Sequence, residues 1–237
     1  GLDLIAAREH DFISRALATW KNCDNIEILG SETAQRLSIV SLSIKHHDRD
    51  LHYGFVVALL NDLFGIQARG GCSCAGPYGH NLLGMDMAYS KALEAEIAKG
   101  NLVLRPGWIR LSFNYFIDEA TFQYLLHAVQ LVAENGWRLL PFYHFDENSG
   151  TWLYQKRKAV LRNNLADVNF ANSDDSCSAS YDTASLPQYL ATASQELLDP
   201  DPDAKRYSLS LPESAESLRW FVLPQEIGLP PQLKRVG

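Results

Sequence analysis

The chain has 237 residues, of which 46% are hydrophobic, 21% charged and 11% aromatic; this is an ordinary globular composition, long enough to bury a sizeable core as one domain plus a tail or as two small domains. A formal charge of -7 argues against a nucleic-acid partner, which wants clustered Lys and Arg, and no apolar run approaches the length of a membrane span. Four scattered cysteines make no disulfide framework and lead to the expectation of a reducing, cytoplasmic setting.

The chain opens without a methionine and directly in a helical pattern, which suggests a piece of a longer chain. Over residues 2–20, Ile5, Phe12, Ile13, Ala16, Leu17 and Trp20 form one helical stripe, with Arg8, Glu9, Asp11 and Arg15 off it. Asp24 and Asn25 break that helix, and a short strand over 26–29 ends at Gly30. Residues 36–44 read as a second strand; both of its faces are fairly apolar, as in a central strand. The polar run 45–52 reads as a solvated loop. Its adjacent His46 and His47 are expected to point opposite ways, as neighbours on an extended segment do.

Residues 53–64 form a helix with Phe55, Val56, Leu59, Leu60 and Leu63 inward, closed by Gly65 at its C-terminus. A strand then runs through Arg69 into the glycine loop 70–76, which carries Cys72 and Cys74. Three readings of the two thiols stay open. They are small packing residues under a tight turn; or Cys74 is a reactive thiolate favoured by the nearby Arg69; or they join His80 as metal ligands, although structural zinc sites want wider spacing and a second ligand pair. A disulfide between residues so close seldom reaches the required geometry.

A helical turn over 81–85 follows, then a helix from Asp86, as N-cap, to Lys99, stopped by Gly100. Pro106-Gly107 turns into a strand over 108–113 that places Trp108, Arg110 and Ser112 on one face and Ile109, Leu111 and Phe113 on the other. A cation inside a strand is either an edge residue or a fork for a carboxylate or phosphate. Asp118 caps a helix over 119–135 with Phe122, Leu125, Leu126, Val129, Val132 and Ala133 inward and His127 on the wet face, ended by Gly136. Residues 139–145 are extended, and a turn over 146–150 leads to Trp152 and Tyr154. The serine-rich stretch 163–182 reads as a linker. A helix over 185–198 and a last apolar strand over 217–223 close the chain. The interleaving predicts an α+β fold: a small antiparallel or mixed sheet with helices packed on one face, and an irregular C-terminal tail.

Four stretches together, 37–44, 60–69, 70–77 and 108–115, resemble the C-terminal small domain of class V aminotransferases, the cysteine desulfurase-like group of pyridoxal-phosphate enzymes. The resemblance covers roughly 1–155, which sets the expected domain, with 156–237 as linker and tail holding one helix and one short strand. The loop pattern Arg-x-Gly-x-x-Cys-Ala-x-Pro falls on Arg69, Gly71, Cys74, Ala75 and Pro77. The resemblance implies a fold-type I small domain in which Cys74 is the persulfide-forming nucleophile and Arg110, with Arg69, binds the substrate carboxylate of an amino acid. Two features depart from it: the helix over 86–99 is longer than the desulfurase loop, and Cys72-Ser73 stands where a histidine pair is usual, in a Cys-x-Cys arrangement shared with molybdenum cofactor sulfurases. It implies pyridoxal 5'-phosphate in the complete enzyme and a homodimer; with charge and hydropathy against nucleic acid and membrane, the expectation is of neither of these, and of no metal. The Schiff-base lysine, phosphate cup and pyridine-facing acid that the cofactor needs belong to the family's large domain. Lys45-His46, the reverse of the family's His-Lys pair, does not supply them. The implied activity is aminotransfer, cysteine desulfuration or a related lyase reaction. The alternative is a non-catalytic binding or scaffold module that retains the fold.

Overall fold

In a computed structural model of the protein, which describes residues 1–31, 33–72, 76–155 and 183–228, the first amphipathic stripe becomes helix α1, Leu2–Trp20. It buries Phe12, Ile13, Ala16 and Trp20 against α5, Glu119–Asn135. Phe12 stacks on Phe122 at 4.6 Å between ring centres, and the Trp20 indole N–H donates to the Leu126 carbonyl. Asp118 accepts from the Thr121 N–H at 2.7 Å, so the predicted N-cap of α5 is in place.

Strands β1 (Ile26–Leu29), β2 (Ile39–His46), β3 (Arg49–Asp50), β4 (Arg69–Gly71) and β5 (Trp108–Ser112) form an antiparallel sheet in the order β1-β2-β5-β4, with β3 paired to β2. Period-two alternation turns Val40, Leu42, Ile44, Ile109 and Leu111 to one face, where they are buried. Helices α1, α5 and α2 (Tyr53–Phe64) close the same core cluster. The other face carries Ser41, Arg110 and Arg69 in register across three strands. The fold is thus α+β with a small antiparallel sheet, and β2 is the central strand its composition predicts.

Several boundaries differ from the sequence reading, each for a physical reason. Residues 36–38 lie outside β2, and Leu37 is 73% exposed. The run 45–52 is a hairpin rather than a loop: Lys45 pairs with Asp50 and His46 with Arg49 across a turn in which His47 takes φ 58. That left-handed residue folds its ring back, so His46 and His47 sit 4.3 Å apart instead of pointing opposite ways, and His46 stacks on Trp137. The turn expected at 81–85 starts earlier, as helix α3, Gly76–Leu82, because Pro77 has the preset φ of a first helical turn. Helix α4, Met87–Ala98, is capped by Asp86 as predicted. α5 ends at Asn135 with Gly136 as its C-cap, as predicted, but Gly136 keeps right-handed φ and ψ and the chain tightens into a 3-10 segment, Gly136–Phe142, so only 143–145 of the expected extended run 139–145 is strand; this is β6, Tyr143–Asp146, which pairs with β7, Thr151–Tyr154.

The linker predicted over 163–182 lies outside the described residues. Beyond it, α6 (Leu186–Leu198) packs on α5 and buries Leu186, Ala193 and Leu197. After α7, Glu213–Glu216, the strand predicted over 217–223 is a single bridge between Phe221 and Asp50. Phe221 is fully buried because the backbone there is pinned by other means: Arg219, 8% exposed, forks to Glu216 and Glu226 at 2.6 and 2.8 Å and donates to the Phe221 carbonyl. Among the described residues no helix is long and apolar enough to cross a membrane.

Candidate functional site

The site begins where α2 ends. Gly65 takes φ 65 and lets the chain reverse, Ile66 is buried as an anchor, and Arg69 opens the three-residue strand β4. Two glycines hold that strand against β5. Gly71 takes φ 114, which side-chain-bearing residues rarely adopt. A Cβ on Gly107 would lie 2.5 Å from the Gly71 Cα, so the two backbones approach this closely only because Gly107 has no side chain. The register that results sets Arg69 directly opposite Arg110, and Gly71 opposite Trp108.

β5 lies between β2 and β4. Arg110 is therefore not the edge cation that one sequence reading allowed: it is half-buried on an interior strand, with Ser41 opposite it on β2. Arg69 is exposed on the edge strand. Both guanidinium side chains line one cleft of about 580 Å³. Gln67, Ser112, Asn114 and Thr121 supply polar groups to it, and Phe64, Leu125, Leu186 and Tyr189 an apolar wall. Its described lining holds no Asp, Glu or Lys. Among the described residues neither the Arg69 nor the Arg110 side chain has a hydrogen bond or an ion pair. Two unneutralised cations with hydrogen-bonding neighbours and no competing acid make a place for an anion.

The thiols stand differently. Cys74 lies outside the described residues. Cys72 is exposed just beyond β4 and does not line the arginine cleft. Its Sγ rests on α3, where a Cβ on Gly79 would come within 2.8 Å of it, beside the Trp108 ring. The structure thus brings Arg69 and Arg110 together and sends Cys72 past the opposite end of β4. His80, the third member of the metal reading, has the Ser90 hydroxyl 3.1 Å from its ring. Among the described residues no three His, Cys, Asp or Glu side chains are grouped to hold a metal ion.

Pyridoxal phosphate requires an amine to hold its aldehyde, a cradle for its phosphate and an acid for its ring nitrogen. The described lining of the arginine cleft has neither lysine nor acid. The described residues of the cleft therefore do not fit the cofactor unaided.

One polar centre escaped the sequence reading. His52, assigned to a solvated loop, is 2% exposed. Its Nδ1 accepts from the Gly54 N–H and the Trp152 indole N–H, both at 3.0 Å, so Nε2 carries the proton and donates to the Val103 carbonyl at 3.0 Å. Burial lowers its pKa to about 3. The usable signal is position: His52 immediately precedes a helix and caps it. Nearby, burial raises the Asp50 pKa to about 6, against the pull of Lys45.

No family model matches the chain, and no curated protein matches it. Among solved structures the chain is similar to the apo structure of a cysteine desulfurase from Thermococcus onnurineus NA1, at 21% identity over 56% of this chain, with a TM-score of 0.42. The chain spans 27% of that protein's length. A superposition this loose leaves the site to be read from its own residues.

Proposed function

We propose that this chain is the C-terminal, substrate-facing portion of a pyridoxal-phosphate-dependent enzyme of the class V aminotransferase type, a cysteine desulfurase or related lyase. Arg110 and Arg69 bind the amino-acid substrate through its carboxylate, and Cys74 is the loop thiol. The observation that carries this reading is the pair of unneutralised guanidinium groups, Arg69 opposite Arg110, on one cleft whose described lining has no acid. A guanidinium fork meets a carboxylate with two parallel hydrogen bonds. That contact fixes which bond at the substrate Cα faces the reacting partner, which is what positioning contributes to catalysis. The lysine and phosphate cradle belong to another part of the protein, and the active assembly is a homodimer.

The test compares L-cysteine with cysteamine, which lacks only the carboxylate, by calorimetric titration of the chain. Cysteine is expected to bind better by about 2–4 kcal/mol where the pair is well desolvated, and Arg110→Gln to erase that difference. Equal binding of the two would remove Arg110 from substrate recognition.

A second reading, a non-catalytic module that keeps the fold, is favoured by one observation: the described lining of the cleft has no lysine. A visible-absorbance titration of the complete protein with pyridoxal phosphate separates the two. A shifted cofactor band supports the enzyme, and an unshifted one supports the module.

A further inference from the structure

We infer that the Arg69–Arg110 cleft prefers a ligand with two separate carboxylates, the dicarboxylate skeleton of an acidic amino acid, over one with a single carboxylate. This rests on the carboxylate-site reading above and adds a second anion to it.

The argument starts from register. Arg69 and Arg110 are direct cross-strand partners, so their Cβ atoms stand about 4.5–5.5 Å apart, and like charges so placed repel. Proteins commonly set a carboxylate beside such a pair, and two are close in sequence to the cleft residue Thr121. Both are committed elsewhere. Asp118 caps α5 through the Thr121 N–H. Glu119 is held by Arg15 at 2.7 and 3.0 Å, and its pKa is lowered to about 2, chiefly by that hydrogen bond. The charge on the two strands is left for a ligand.

One carboxylate satisfies one guanidinium fork and leaves the other cation uncompensated. Two carboxylates on a short chain let each arginine form its own planar, bidentate pair. The rest of the cleft suits such a chain. Its apolar wall, with Phe64, Leu125 and Leu186, accepts the intervening methylenes, and its volume of about 580 Å³ is ample for four or five carbons. Gln67, Ser112 and Asn114 can hydrogen-bond the outer oxygens. No described lining residue would attract a free ammonium, so diacids without an amino group are the cleaner probes.

The experiment titrates the 237-residue chain calorimetrically with glutarate, succinate, butyrate and inorganic phosphate at constant ionic strength, with circular dichroism to verify folding of each variant. Glutarate or succinate is expected to bind at least tenfold more tightly than butyrate and phosphate. Arg69→Gln should reduce the diacid to the butyrate level and leave butyrate within twofold, whereas Arg110→Gln weakens both. Arg69→Lys, which keeps the charge and loses the fork, should fall between. Equal affinity for diacid and butyrate, with both lost in Arg110→Gln, would overturn the two-carboxylate inference and leave the carboxylate site standing. Phosphate binding as tightly as the diacids would overturn it in favour of one doubly charged group. Binding of all four ligands that is indifferent to both arginines would bring down the site itself.

Discussion

His52 and the Arg69–Arg110 pair both put nitrogen-rich side chains in unusual positions, and they are built on opposite principles. Both ring nitrogens of His52 are taken, by Val103 on one side and by Gly54 and Trp152 on the other, within a cage of aromatic rings that includes Trp220 at 5.2 Å. The arginines share a cleft and, among the described residues, their side chains have no hydrogen-bond or ionic partner. A polar group whose bonds are all made inside the protein is holding elements together. One that faces a cavity with its charge uncompensated is available to something from outside. The histidine is therefore the structural member of the two.

Truncating His52 should break the first half of that contrast most severely. His52→Ala orphans the Trp152 N–H and the Val103 carbonyl, removes the cap of α2 and opens a void against five aromatic rings. Buried unsatisfied groups and a lost cap together cost about 3–5 kcal/mol. Urea denaturation would read it as a lower midpoint at unchanged slope. A loss under about 1 kcal/mol would mean that water replaces the ring without penalty.

Asp50 stands between the two extremes, and pH is the way to sharpen its place. It is partly buried with Lys45 no closer than 3.8 Å, and its pKa is raised to about 6. A raised carboxyl favours the protonated folded state, so its contribution is fully present below about 4 and is lost as pH rises through 6. Asp50→Asn should therefore stabilise the protein at neutral pH by about 2 kcal/mol, a gain that vanishes near pH 4. His52 works in the opposite sense. Its lowered pKa makes the folded state prefer the neutral ring, so stability falls as pH drops from 6.5 toward 3. Denaturation midpoints of both proteins at several pH values separate the two windows. An Asp50→Asn variant that is weaker at neutral pH would show that the Lys45 pairing outweighs the burial.

Much of this was legible in the chain. Alternation over 108–113 put Arg110 and Ile109 on opposite faces, and the stripes of α1, α2 and α5 named most of their buried residues. Period and capping are local, so one sequence carries them. What it could not carry is pairing. Arg69 and Arg110 are 41 positions apart, and their meeting depends on Gly107 admitting the Gly71 backbone. Leu186 and Tyr189, which close the cleft, come from beyond the serine-rich stretch. His52 was misjudged because it comes just after the polar run 45–50, whereas Trp152 and Trp220, which pack on its ring, are distant in sequence.

The smallest expected effect is also the one whose sign decides most. If Arg69 were structural, truncating it would cost stability. If it is held for a ligand, the empty protein carries the repulsion between two cross-strand cations, and Arg69→Gln relieves it by about 0.2–1 kcal/mol. Since Arg69 is exposed, salt screens that repulsion, and the gain should shrink as ionic strength rises. Adding glutarate should then reverse the order, because a ligand that binds only the folded state stabilises it by mass action, and the wild type has two forks to hold it where the variant has one. Melting temperatures at low salt, at high salt and with glutarate give three signs. Only a site that is strained when empty and relaxed when filled yields gain, no change and loss in that sequence.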